Sequence, residues 1–306
     1  MPQHELQIDE PQGRIDRYLA QRFPSLTRSA VQRLIAEGKV LVNGQPTRAS
    51  YQPAPGDAVT VRLPEEEPSL PQPETMPLTV VYEDEHLLVI EKPAGMAVHP
   101  GAGRASGTLV NALLAHRPDI VRADLDPVRP GIVHRLDRET SGLLVVAARR
   151  DVQAALQAAF KRRDVHKVYL ALVHGALYPE RAAIEAPIGR DPIHRRRMAV
   201  LAEGGRHART EYVVREMFGE YTLVEATLVT GRTHQIRVHM ASIGHPVVGD
   251  RVYGRRREAI RVPRQFLHAW RLTFQHPARR EEMAFEAPLP PDLAAVLDDL
   301  RRAGAV

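Results

Sequence analysis

Cysteine is absent from this chain of 306 residues. Its absence excludes disulfide bonds, thiolate metal sites and cysteine nucleophiles, including any uridine C5-methylation that begins with thiolate attack. Long apolar runs are also missing, and none approaches the roughly 20 residues that a membrane-spanning helix needs. The N-terminal residues lack the basic start and apolar stretch of a secretory signal. These absences predict a cytoplasmic protein with no membrane partner.

Cofactor motifs are lacking as well. The glycines between Gly101 and Gly107 are spaced one residue too widely for a dinucleotide fingerprint, and no GxxxxGK[ST] phosphate loop occurs. We therefore predict no cofactor and no nucleotide partner. The 14 histidines and many carboxylates leave a metal-dependent RNA hydrolase as an alternative. His234 and His239 are the most suggestive pair, but residues five apart lie about 140° apart around a helix, so we predict no metal site.

Basic residues are in excess, with 42 Lys and Arg against 37 Asp and Glu. They form three trios, at 161–163, 195–197 and 255–257. This excess favours a nucleic acid as partner, although each trio alone is equally typical of a solvated loop. The chain length indicates two domains, and five prolines with four glutamates between Pro64 and Pro77 indicate a linker. We predict domains at 1–63 and 78–306, joined by a linker at 64–77, in a monomeric protein.

The first 63 residues predict two short helices and a small sheet. Apolar residues recur at helical spacings, Thr27 can cap the second helix, and Gly38 stands where that helix would end. Asn43-Gly44 is a hairpin turn signal, and Pro55-Gly56-Asp57 predicts a further turn. Residues 13–63 resemble the small RNA-binding module first known from ribosomal small-subunit protein four.

That resemblance implies an N-terminal α-L RNA-binding domain, in which a helix-loop-helix face carries arginines to RNA phosphates. Arg28 and Arg33 match those positions and are therefore expected to bind RNA. The alternative is that both arginines only keep an amphipathic helix soluble.

The larger region alternates strand-like and helix-like runs, and hairpin-length separations near its end favour antiparallel pairing. Within it, Asp137 lies between Arg135 and Arg138 in a polar loop that precedes the apolar run 143–148. Nearby guanidinium groups would favour the ionised carboxylate, which suits nucleophilic attack. An ordinary surface ion pair is the alternative.

Four segments extend this pattern: EKPAGMAVHPG, HRLDRETSGLLVVA, KVYLALVHG and TGRTHQIRVHMASIGHPVVGDRVYG. Together they resemble the pseudouridine synthases that modify large-subunit ribosomal RNA, in particular the D-type members of the RluA family. The resemblance implies an isomerase of the pseudouridine synthase fold, an α+β architecture with a mixed, largely antiparallel central sheet. It implies the conversion of specific uridines in 23S ribosomal RNA to pseudouridine, on a base flipped out of its helix.

The resemblance also implies a role for four residues. Asp137 would be the nucleophile, Arg135 would hold the substrate base out of its helix, Tyr169 would stack on the uracil, and Arg237 would pair with the catalytic carboxylate. Without the resemblance, Tyr169 could be a core residue and Arg237 a solvated charge. A non-catalytic RNA-binding protein is the remaining alternative.

Neighbouring residues fit structural roles in this interpretation. We expect a turn around Pro93 and Gly95, the alternative being that Lys92 and His99 approach the RNA or the rim of the active site. At residues 233–235 we expect helix entry with structural hydrogen bonding, the alternative being a role in catalysis.

Overall fold

A computed structural model describes residues 3–23, 26–63, 70–101, 106–122, 125–194, 197–255 and 257–304. The chain divides into two compact units, Met1–Ser69 and Leu70–Val306. In the part of the chain that is described, every helix is too short or too polar to cross a lipid bilayer.

The N-terminal unit contains two helices and a four-stranded antiparallel sheet in the order β1-β4-β2-β3. Its elements are β1 (Gln3–Gln7), α1 (Ile15–Arg22), α2 (Arg28–Ala36), β2 (Val40–Val42), β3 (Gln45–Pro46) and β4 (Ala58–Arg62). The predicted cap is confirmed, because Thr27 Oγ1 accepts a hydrogen bond from the Ala30 amide at 3.2 Å. Asn43 and Gly44 have φ of 51° and 76°, which confirms the hairpin turn between β2 and β3. Strand β1 was not predicted, since its sequence is mostly polar.

A buried carboxylate connects the two helices of this unit. Asp16 on α1 is 0% exposed and accepts hydrogen bonds from Arg14 Nε at 3.1 Å, Arg28 Nε at 2.9 Å and Gln32 Nε2 at 2.7 Å. The bond from Arg14 contributes most to lowering the pKa of Asp16. Arg28, one of the two expected RNA-binding residues, is therefore tied to Asp16, whereas Arg33 is exposed on α2.

The C-terminal unit is built on a nine-stranded sheet in the order β5-β6-β7-β14-β8-β13-β12-β9, with β15 paired to β14. Its first half contains β5 (Thr79–Glu83), β6 (Leu87–Lys92), α3 (Leu109–His116), β7 (Ser141–Ala147), α4 (Arg150–Arg162), β8 (His166–His174) and β9 (Arg181–Glu185). Its second half contains β10 (Ile188–Arg190), β11 (Met198–Val200), β12 (Arg209–Phe218), β13 (Tyr221–Leu228), α5 (Gln235–Ser242), β14 (Leu267–Gln275), β15 (Glu282–Glu286) and α6 (Pro291–Gly304).

Strands β7 and β14 pair in parallel, and the other neighbouring strands of the large sheet are antiparallel wherever the structure describes them. The mixed, largely antiparallel α+β fold is thus confirmed. The predicted hairpin near the end is confirmed too, since β12 and β13 pair across Gly219 with a register shift between Val214 and Glu216.

Both faces of the central strands are buried, because successive side chains of a strand point to opposite faces. In β6, Leu88 and Ile90 join a core cluster that contains residues of α3 and α5. Leu87 and Val89 join a second cluster that contains residues of α4. Leu136 and Tyr169 both belong to the first cluster, so the apolar core itself fixes the loop before β7 and the middle of β8.

Gly142 brings the start of β7 directly against β14. Its φ is +113°, and a Cβ at this position would lie 2.2 Å from the Ala269 carbonyl oxygen. A side chain there would therefore separate the two strands. This close approach places the loop that contains Asp137 beside the middle of the sheet.

Part of the predicted linker packs on the C-terminal unit. The Asn111 side chain donates a hydrogen bond to the Gln72 carbonyl at 2.8 Å, and the Glu74 amide donates to the Asn111 carbonyl at 3.0 Å. Residues 64–69 of that linker lie outside the described residues.

Candidate active site

Asp137 stands at the point where a buried loop opens to a cavity. Leu136 is 4% exposed in the core, while the Asp137 side chain is 16% exposed. The Thr140 amide donates a hydrogen bond to the Asp137 carbonyl at 3.1 Å, which makes a turn just before β7 begins. The polar loop leading into a buried strand is as predicted, since all seven residues of β7 are buried.

Lys92 holds this loop in place through hydrogen bonds to backbone carbonyls. Its ammonium is fully buried and donates to the carbonyls of Pro93 at 2.7 Å, Met96 at 3.0 Å and Arg138 at 3.2 Å. Burial, assisted by the charge of Arg264, lowers the pKa of Lys92 to about 7. The turn that the sequence predicted around Pro93 and Gly95 is present, and Lys92 connects it to the residue that follows Asp137.

Two residues just before β14 hold the other end of the loop. Arg264 Nη1 donates to the Glu139 carbonyl at 3.0 Å, and Gln265 Nε2 donates to Thr140 Oγ1 at 2.8 Å. Arg264 is 7% exposed and also forms an ion pair at 2.7 Å with Asp292 in the first turn of α6. Backbone position after Asp137 therefore depends on side chains far away in sequence.

Arg237, on the buried face of α5, contacts two carboxylates at once. Its Nη1 donates to Asp137 Oδ2 at 2.8 Å, and its Nε and Nη2 donate to the Asp250 carboxylate at 2.6 and 2.9 Å. Burial alone would lower the pKa of Arg237, but the hydrogen bonds and charges of Asp250 and Asp137 outweigh burial and raise it. The fork-to-carboxylate bond with Asp250 fixes the guanidinium plane, so one N–H points at the Asp137 carboxylate.

His234 approaches the same carboxylate from the other side. Its Nε2 lies 3.8 Å from Asp137 Oδ1, and its Nδ1 lies 2.8 Å from the Tyr253 hydroxyl, which also accepts a hydrogen bond from the Met198 amide. Burial is the main cause that lowers the pKa of His234, against the opposing charge of Asp137. His234 immediately precedes α5, as predicted for the helix entry, but its φ of 57° is left-handed and its side chain forms no cap hydrogen bond.

Three of the predicted site residues line one cavity. Arg135, Asp137 and Tyr169 lie around a space of about 430 Å³, which is within the usual range for a small-ligand pocket. Tyr169 is 6% exposed, and burial, then the charge of Asp137, raises the pKa of its hydroxyl. A smaller adjoining space is lined by Asp137, Tyr169 and Arg237 together. Arg135 is exposed at the rim.

The sequence analysis missed Asp250 and Tyr253. Both belong to the GDRVYG segment, but no spacing rule connects an aspartate to an arginine 13 residues earlier in the chain. Structural roles were preferred for His234 and Lys92, and the structure places both at the Asp137 loop.

The histidine pair considered for a metal does not converge. His239 hydrogen-bonds to Thr210 and to the Ala186 carbonyl, whereas His234 contacts Tyr253. Within the described ranges, histidines and carboxylates form no group of three that could hold a metal ion.

Comparison with known proteins identifies the family. Residues 86–242 match the family profile described as RNA pseudouridylate synthase, and residues 13–59 match that of the S4 domain. The chain is 45% identical over 296 residues to the uncharacterized RNA pseudouridine synthase YlyB of Bacillus subtilis, covering 97% of each chain. It is also 45% identical to ribosomal large subunit pseudouridine synthase D of Nitrosomonas europaea, covering 94% of this chain and 84% of that one.

A solved structure supports the same assignment. Human RNA pseudouridylate synthase domain containing 1 aligns with a TM-score of 0.58 and 31% identity, covering 75% of this chain and 95% of that chain. The match to the catalytic profile contains Arg135, Asp137, Tyr169 and Arg237, and the S4 match contains Arg28 and Arg33. The chain therefore belongs to the RNA pseudouridine synthases, as an isomerase of the RluA type that carries an N-terminal S4 domain.

Proposed function

We propose that this enzyme isomerises specific uridines of large-subunit ribosomal RNA to pseudouridine, with Asp137 as the nucleophile acting on a base flipped out of its helix. The observation that carries the proposal is the arrangement of Asp137, which is bonded to Arg237 and open to the cavity that Tyr169 lines. The relative named ribosomal large subunit pseudouridine synthase D supports the choice of RNA.

The reaction matches the groups at hand. The bond between ribose C1′ and uracil N1 breaks, a bond between C1′ and C5 forms, N1 gains a proton and C5 loses one. No electrons are gained or lost overall, so the isomerisation requires no redox cofactor. A carboxylate oxygen that keeps a free lone pair can attack the nucleoside, and Asp137 accepts one short bond from Arg237 while its remaining face meets the cavity.

The surrounding residues divide the remaining tasks. Arg237, fixed by Asp250, orients the Asp137 carboxylate. Tyr169 offers an aromatic ring inside the cavity, on which a detached uracil can stack. Arg135 is exposed at the rim, where its side chain can fill the gap that an extruded base leaves in its helix and offset the cost of unstacking, a few kcal/mol.

The S4 domain gives the enzyme a second attachment to RNA. Arg33 is exposed on α2, and the Arg28 side chain, although bonded to Asp16, is 44% exposed. Both can therefore donate to phosphate oxygens in the manner expected of this module. We place the enzyme in the cytoplasm, where large-subunit ribosomal RNA is available as its substrate.

The first test replaces Asp137 with Asn in the full-length protein. Because Arg237 keeps Asp250 as its partner, Asp137→Asn leaves no unpaired buried charge and should fold normally. We expect pseudouridine formation in unmodified large-subunit ribosomal RNA transcripts to fall by about 10⁴-fold. Pseudouridines are mapped on the transcripts after incubation with each protein.

Asp299→Asn provides the matched control, since Asp299 is an exposed residue of α6. It should modify the same uridines at the wild-type rate. Equal product from Asp137→Asn and the wild type would contradict the nucleophile assignment, and an absence of product from the wild type would contradict the choice of RNA.

A further inference from the structure

Most of the charged residues that line the cavity containing Asp137 are cationic. Its cationic residues are Arg135, Lys161, Arg163, Lys167 and Arg232. Among the described residues that line it, Asp137 is the single carboxylate, and Arg237 already binds that carboxylate from outside this lining. Uracil is a neutral base, so the base alone does not account for this excess of cations.

These cations differ from many arginines of the C-terminal unit in having no acidic partner among the described residues. Arg162, for example, pairs with Asp164 at 2.7 Å, and Arg117 pairs with Glu83 and Asp119. Throughout the described ranges, no carboxylate lies within ion-pair distance of Lys167, Arg163 or Arg232. Their charge is available to a ligand.

Lys167 is the most enclosed of these groups. It precedes Tyr169 by two residues on β8, so both side chains point to the same face of the sheet. Its ammonium lies 5.2 Å from the centre of the Phe160 ring, and burial lowers its pKa to about 8. A Cβ at Gly231 would lie 4.0 Å from the ammonium, so the missing side chain there leaves a path to it. Such a half-buried cation gains most from an anion.

Arg232 and Arg163 extend this charge toward the cavity mouth. Arg163 follows the last residue of α4 in a left-handed conformation with φ of 70°. Arg232 directly follows Gly231, and its Nε donates to the His207 carbonyl at 3.1 Å, which anchors the guanidinium. Burial and then the like charges of Arg206 and Arg163 lower the pKa of Arg232. An anion between them would relieve this repulsion.

We propose that Lys167, Arg163 and Arg232 bind backbone phosphates of the RNA strand that flank the target uridine, with Lys167 binding the phosphate nearest to that nucleotide. This inference rests on the proposed function for the entry of a base into the cavity. Phosphate contacts at this point would fix the ribose relative to Asp137, while Tyr169 holds the ring. An RNA strand carries one negatively charged phosphate per nucleotide, so consecutive nucleotides can supply a separate phosphate to each of the three cations.

The test measures RNA binding separately from catalysis. Lys167→Met, Arg163→Gln and Arg232→Gln are each made in full-length Asp137→Asn protein, so no product forms during the titration. Binding to a large-subunit ribosomal RNA transcript is measured by filter retention over a series of KCl concentrations. Each substitution should weaken binding by about 5- to 10-fold and reduce the slope of log K against log[KCl] by about 1. Lys167→Arg should keep the parent slope.

Arg162→Gln is the matched control. Arg162 is the neighbour of Arg163 in the chain, but it pairs with Asp164 and does not line the cavity. Its affinity and slope should equal those of the parent. Equal losses for Arg162→Gln and Arg163→Gln would overturn the proposal, because they would indicate a general effect of net charge.

A second measurement distinguishes phosphate binding from a contact with the base. With Asp137 restored, Lys167→Met should raise the RNA concentration that gives half the maximal single-turnover rate, and it should lower that rate at saturating RNA by less than it lowers affinity. A large loss of that rate with an unchanged salt slope would overturn the phosphate assignment of Lys167. Failure of the proposed function would appear differently, as full activity of Asp137→Asn.

Discussion

Two aspartates of this enzyme form ion pairs with arginines but differ in how many hydrogen bonds they accept. In the N-terminal unit, Asp16 is 0% exposed and accepts hydrogen bonds from Arg14, Arg28 and Gln32. In the C-terminal unit, Asp137 accepts one short bond, from Arg237, and its side chain is 16% exposed at a cavity. The donors around Asp16 occupy the carboxylate, whereas Asp137 keeps oxygen lone pairs free.

The difference shows how a protein can orient a carboxylate without occupying all of its oxygen lone pairs. Arg237 is immobilised by a second carboxylate, Asp250, which is itself fully buried. Asp250 therefore orders the guanidinium on the side away from Asp137, and one directed N–H remains to orient the proposed nucleophile. An aspartate flanked by arginines in sequence can therefore be structural or reactive, depending on how many donors reach it.

The strongest challenge to this comparison is Asp250→Asn. It removes the charge that fixes Arg237, which would then turn toward Asp137 and occupy more of its oxygens. We expect kcat to fall by about 100-fold and stability by about 3 kcal/mol, since one partner of a buried ion pair is lost. Pseudouridine formation and urea unfolding measure the two effects. Asp298→Asn, which affects the exposed pair with Arg301 at 3.5 Å, should change neither by much. Wild-type kcat in Asp250→Asn would show that Asp137 needs no held arginine.

A smaller effect is expected from Arg264→Met, which frees the loop backbone at Glu139. Displacement of Asp137 should lower kcat by about 10-fold while KM stays unchanged, because Arg264 orients the loop that carries the nucleophile. Arg264→Lys should restore part of the rate, and Arg261→Met, at an exposed position three residues earlier, should match the wild type. A rise in KM with constant kcat would place Arg264 in RNA binding instead.

The smallest effect on catalysis is expected from Asp16→Asn. It should leave kcat at saturating RNA unchanged and reduce the stability of the N-terminal unit by about 2 kcal/mol at pH 7. Because the pKa of Asp16 is lowered in the folded state, the stabilisation is present above the unfolded pKa of about 4 and is lost as pH falls toward the folded pKa. Urea unfolding followed by circular dichroism at pH 7 and pH 3 should show a smaller difference between variant and wild type at pH 3. A constant difference would contradict this linkage.

Sequence patterns predicted the secondary structure well where they reflect local geometry. Asn43-Gly44 gave the hairpin, Thr27 the helix cap, and the apolar run after Gly142 the buried strand β7. The motif resemblance predicted that Asp137 and Arg237, which are 100 residues apart, would meet. These features could be predicted because they depend on local backbone geometry or belong to the motifs of the family.

The residues that the patterns missed depend on tertiary structure. Asp250 looks like any loop aspartate until the fold places it beneath Arg237. In the sequence, Lys167 looks like an ordinary polar residue near the start of a strand. The folded structure places its ammonium at the cavity, with no carboxylate partner among the described residues. Burial and pairing are properties of the folded chain, so residue spacing does not encode them.

The strand order also determines when the site can form. The strand that follows Asp137 and the strand that carries Tyr169 do not pair with each other, because β14 lies between them. During translation, Leu267 emerges from the ribosome long after both residues, so a partly synthesised chain has the proposed nucleophile and the proposed stacking ring but not the strand that aligns them. We expect the nascent enzyme to be inert until β14 (Leu267–Gln275) has left the ribosome.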